Sequence, residues 1–128
     1  MMRQLPLAAI FGLFGSAVFA QTPVSPDHAA KMAASQQLFK DSVREVLVKN
    51  CLECHGGAKT KAGLNLASRE TLLKGGDRGA TVIPGKPKES RLIDFVTRTD
   101  ELHMPPKGQL SKEAIAALSK WIDSGAAY

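Results

Sequence analysis

Residues 51–55 read Cys51-Leu52-Glu53-Cys54-His55, and the chain has no other cysteine. Four chemistries use such a pair. Neighbouring thiols in an oxidising compartment close to a disulfide. A zinc site needs four tetrahedral ligands; Cys51, Cys54 and His55 supply three, and a second cysteine pair is missing. A thioredoxin-type redox pair belongs to an α/β context, and no stretch of this chain has a convincing strand pattern. The fourth chemistry is attachment of a haem. The two thiols, one helical turn apart, add across its vinyl groups, and the adjacent imidazole faces the iron. A simple disulfide gives His55 no task, whereas haem attachment uses all three residues.

A haem that carries electrons needs a second axial ligand, and a thioether opposite histidine raises the potential and closes the iron to outside ligands. Beyond Met1 and Met2 the chain has Met32 and Met104. Met104 stands in Leu102-His103-Met104-Pro105-Pro106, a segment that its prolines keep out of a helix. It is the candidate distal ligand; the alternative is a gap-filling core methionine. His103 is the competing ligand, and His28 is expected to be merely exposed.

Working outward, residues 35–50 carry apolar side chains at helical spacing (Phe39, Val43, Val46, Leu47) with Ser35 as N-cap. This helix is expected to deliver its end into Cys51. Gly56-Gly57 then stops regular structure. Leu64 and Leu66 are inward anchors in a loop, Ser68 caps a short helix to Leu73, and Gly75-Gly76 ends it. Glu89 to Arg98 reads as a helix with Leu92, Phe95 and Val96 on one face. Ser111 caps a last helix running to about Gly125, with Ile115, Leu118, Trp121 and Ile122 as its apolar stripe. The stretch Gly79 to Lys86 is no phosphate-binding loop: its glycine spacing is wrong, and Pro87 stands where Ser or Thr would be needed. The fold class expected is all-α.

Residues 1–20 have one charge, Arg3, then an apolar run ending Val18-Phe19-Ala20. That is the anatomy of a cleaved secretory signal, and the run is shorter than the ~20 residues that span a bilayer. Residues 21–34, with Pro23 and Pro26, read as a flexible leader, and residues 35–128 as one domain. An exported, periplasmic location follows, with no stable membrane insertion after cleavage. The formal net charge is +5, about +4 once Arg3 is removed. Charges of both signs alternate along the chain with few aromatics, which argues against nucleic-acid binding.

Taken in order, "VKNCLECHGG", "KAGLNLASRETLLKGGDRGATVIPGKPKESRLIDFV" and "HMPPKGQLSKEAIAALSKWIDSGA" resemble the planctomycete-type cytochrome c domain, a member of the class I c-type cytochrome superfamily. The resemblance spans about Leu38 to Ala127. It implies one covalent haem c, with Cys51 and Cys54 as thioether anchors, His55 as proximal ligand and Met104 as distal ligand. It also implies N- and C-terminal helices packed together, with Val43, Leu47, Leu118 and Ile122 as candidate contacts. Trp121 would lie beside the haem edge or near a propionate, and Arg78 and Arg91 are candidate propionate partners. Ala67 and Ala80 depart from the Asp and Pro that such domains often carry, which leaves the loop details open. The function implied is one-electron transfer as a carrier, not an enzyme, with Lys59, Lys61 and Lys107 steering acidic redox protein partners. The alternatives are an accessory subunit docked on a larger dehydrogenase, or a ligand-binding haem sensor or enzyme if Met104 does not bind iron. The protein is expected to be a monomer or such a subunit.

Overall fold

A computed structural model describes residues 25–128. The secretory signal expected over residues 1–20 and residues 21–24 of the expected leader lie outside the described residues. No helix among the described residues is long and apolar enough to cross a membrane.

The first helix starts earlier than the apolar spacing predicts. Helix α1 spans Pro26–Leu38, so the segment read as a flexible leader is helical from Pro26 onward. The cause is local. Ser25 accepts the His28 N–H at 3.3 Å as N-cap, Pro26 fits the first turn and Asp27 adds a negative charge there. The alanines that follow are the strongest helix formers. The stretch has little apolar patterning because almost all of it is exposed.

Helix α1 runs on through a π-turn, Phe39–Val43, into α2, Arg44–Asn50. The turn has a packing consequence. Residues four apart overshoot a full α-helical turn by about 40° each time. Ser35, Phe39, Val43 and Leu47 would therefore drift off one face of an ideal helix. A π-turn absorbs an extra residue and brings Val43 and Leu47 back to the core, where they are 0% and 2% exposed.

Six short elements follow, two of them 3-10 turns at Lys61–Gly63 and Pro87–Glu89. Helix α3, Leu52–His55, holds the second cysteine and the histidine. The chain then reverses at Gly57, whose φ of +36° suits glycine. It pairs Gly56 with Lys59 and His55 with Thr60, so that Lys59–Thr60 form a two-residue strand the sequence pattern does not show. Helix α4, Arg69–Lys74, is capped as expected by Ser68, which accepts the Thr71 N–H at 3.2 Å. Helix α5 spans Arg91–Thr97.

Helix α6, Lys112–Asp123, starts at Ser111, which accepts the Ala114 N–H at 3.1 Å. It packs against α1 and the π-turn. Val43, Leu47, Leu118 and Ile122 all lie in one buried cluster, together with Leu72, Val96 and Trp121. Each such side chain contributes about 1.5–3 kcal/mol by leaving water, so this cluster is the main support of the fold.

Candidate functional site

A mainly apolar cleft of about 380 Å³ opens beside α3, within the roughly 300–1,000 Å³ usual for small-ligand and cofactor sites. Its walls come from parts of the chain far apart in sequence. The end of α2 and α3 contribute Leu47, Cys51, Cys54 and His55. Leu64 and Leu66 arrive from the next loop; the turn Gly76 to Gly79 forms a rim. Leu92, Phe95 and Val96 come from α5, Leu118 from α6, and Leu102, Met104, Pro105 and Pro106 from the segment between those helices. The three expected α5 residues do face one way, and that way is into this cleft. Their value as cleft residues was missed in the sequence, although their helical spacing was visible.

Each expected site residue now has a place. Cys51 and Cys54 are free thiols, both half-buried. Burial pushes the Cys51 thiol up to about 11, because a thiolate would lose hydration there. His55 is half-buried, and its Nδ1 is buried with no hydrogen-bond partner. Its carbonyl accepts the Leu66 N–H at 2.7 Å, which ties α3 to the loop wall. Met104 is 37% exposed and lines the same cleft. Its N–H donates to the Phe95 carbonyl at 2.8 Å, hanging the proline segment from α5.

The other expected residues divide. Arg78 and Arg91 both line the cleft, and Arg91 Nη1 donates to the Arg78 carbonyl at 2.8 Å. Lys61 lines it as well; Lys59 is exposed on the short strand; Lys107 stands 3.8 Å from Glu53 Oε2. His103 is not among the lining residues, and its Nδ1 is buried without a partner. His28 is exposed in the first turn of α1.

Trp121 requires a correction: it does not line the cleft. It is 0% exposed, and its indole N–H donates to the Ala127 carbonyl at 2.6 Å. Its ring sits 6.1 Å from Phe39 and 5.8 Å from Tyr128, within aromatic contact range. A buried indole needs an acceptor, and the chain after α6 turns back to supply one before a cleft group can. Tyr128, which no motif marks, donates its hydroxyl to the Leu66 carbonyl. Leu66 thus connects Tyr128 to His55 through its own backbone.

Comparison with curated proteins and with solved structures gave no match. Comparison with family models matched residues 51–108 to the model described as Planctomycete cytochrome C. The matched segment runs from the first cysteine through Met104 and its prolines, and so includes Cys51, Cys54, His55 and Met104, all of which border the cleft. Over residues 51–108 the chain is therefore similar to planctomycete cytochrome c.

Proposed function

We propose that the protein is an exported monohaem c-type cytochrome that passes single electrons between redox proteins. One observation carries the reading: Cys51, Cys54, His55 and Met104 border one apolar cleft although Met104 is remote in sequence. The donor set fits a covalently held haem. Two free thiols lie one helical turn apart, an imidazole with an unpartnered buried nitrogen stands directly after them, and a thioether arrives from another segment.

In this reading Cys51 and Cys54 would anchor the group, and His55 and Met104 would supply the ligands to its iron. The apolar walls from Leu64, Leu92, Phe95 and Leu118 exclude water. Arg78 and Arg91 stand where they can pair with carboxylates at the rim. Lys61, which lines the cleft, adds a positive charge there that favours acidic partners. The haem, when bound, supplies the one-electron redox chemistry, and the protein supplies ligands, position and polarity.

The test is a maturation experiment. The protein is exported from cells with haem-attachment machinery and extracted with acidified organic solvent, and the reduced pyridine spectrum of the residue is recorded. A c-type spectrum is expected, reduced to at most one thioether in Cys51→Ala. A colourless protein, beside a control cytochrome matured in the same cells, would return the cysteine pair to a disulfide or a metal site.

A further inference from the structure

The segment that carries Met104 is tied at both ends to the C-terminal end of α5, and one carboxylate does much of the tying. Asp100 Oδ2 accepts from Arg98 Nη2 at 2.8 Å, while its Oδ1 accepts the Leu102 N–H at 3.1 Å. The Asp100 carbonyl accepts the His103 N–H at 3.0 Å. At the far end, Gln109 Nε2 donates to the Arg98 carbonyl at 2.9 Å. Arg98 is itself held: its guanidinium lies 5.3 Å from the Phe95 ring centroid, and Asp94 Oδ2 stands 3.8 Å from Nη1. Phe95 in turn lines the cleft and accepts the Met104 N–H. The Asp100 side chain thus joins Arg98, the residue seated on Phe95, to Leu102, the residue two before Met104.

We propose that Asp100, acting through Arg98 and Leu102, is the positioning residue that keeps the Met104 thioether over the cleft and so sets how often that side of the iron opens. The inference rests on Met104 as distal ligand. Asp100 touches no cofactor; it restricts the loop. An ionised acceptor holding a guanidinium and a backbone N–H together is stronger than either contact between neutral groups. Its partly exposed setting weakens it by solvent screening.

The experiment uses the matured holoprotein. The ferric far-red absorption band of methionine-ligated iron and the rate of carbon monoxide binding to the ferrous form are measured for the wild type, Asp100→Ala, Asp100→Asn and Asp94→Asn. Asp100→Ala is expected to bind carbon monoxide roughly 5-fold faster, with a weaker band and faster amide exchange at Met104. Asp100→Asn keeps an acceptor for Leu102 and is expected to fall between. Asp94→Asn removes only the longer Arg98 contact and is expected to match the wild type. Thermal unfolding of each variant separates a loosened loop from a loosened fold, and Asp100→Ala is expected to melt near the wild type. A wild type with the band, and an Asp100→Ala protein with wild-type band, binding rate and exchange, would overturn the proposal while leaving Met104 as ligand. A wild type lacking the band would overturn both together.

Discussion

The Ser35 hydroxyl joins the first helix to the chain beyond the last one: it donates to the Trp121 carbonyl at 3.0 Å and accepts the Ala127 N–H at 2.9 Å. Ser35 is 0% exposed. In Ser35→Ala the Trp121 carbonyl keeps the Ala126 N–H and the Ser124 hydroxyl as donors, but the Ala127 N–H is left without a partner. A buried unsatisfied donor costs about 1–3 kcal/mol. Urea unfolding of Ser35→Ala is expected to show a loss of about 2 kcal/mol, and a loss below about 0.5 kcal/mol would show that water reaches the site.

Tyr128 is the only tyrosine in the chain, so its ionisation can be read directly from phenolate absorbance. Burial, and secondly the neighbouring Cys51, hold it above its ordinary value of 10.0. The folded form therefore resists losing the proton that the unfolded chain releases. The associated stability is present below pH 10.0 and is lost as the pH rises above it. An alkaline titration is expected to show ionisation delayed in the native protein and ordinary in denaturant. The slope of stability against pH above 10.0 should flatten in Tyr128→Phe. Ordinary native titration would mean that the ring is in water.

Replacing the thioether tests the distal ligand. Met104→His should retain covalent haem and lower the reduction potential, because a second imidazole favours the ferric state relative to methionine. Redox titration of the two proteins measures this. Equal potentials would take Met104 off the iron.

Gly75 and Gly85 are both glycines of positive φ, and Gly75, with ψ −163°, lies in the extended positive-φ region that is essentially glycine-only. Their φ angles are +79° and +80°, so both resist an L side chain. A methyl on Gly75 would also collide with the backbone carbonyl of Gly79, whereas nothing lies within 4 Å of one on Gly85. Gly85→Ala is expected to cost roughly 1–2 kcal/mol from the left-handed backbone alone. Gly75→Ala should cost at least ~2 kcal/mol more, because its φ and ψ suit only glycine and backbone must also move. Thermal unfolding of both gives the difference, and equal losses would mean that the turn beside the cleft gives way without cost.

Much of this arrangement was legible in local pattern. Ser68 and Ser111 announce helix starts because a hydroxyl before a helical run satisfies N–H groups that have no partner inside the helix. Leu92, Phe95 and Val96 announce a common face by their spacing. Ser25-Pro26-Asp27 was an equally good start signal, but it opens a stretch without apolar periodicity, so apolar spacing alone placed the start at Ser35. The π-turn left no local trace, because its cause is the demand that Ser35, Phe39, Val43 and Leu47 share one buried side.

By itself the sequence determined the helical class and most helix ends, and it singled out Cys51, Cys54, His55 and Met104 as the candidate site. Side-chain type and near-neighbour spacing are enough for these. Tertiary structure alone decided which remote segments meet. It placed Met104 in the cleft of Cys51 through the Phe95 carbonyl. It turned the Trp121 indole away from that cleft to the Ala127 carbonyl, and it made Ser35 an interhelical lock instead of a cap. The physical reason is that a buried polar group takes whatever partner the packed chain brings within reach, and that partner is a property of the whole fold.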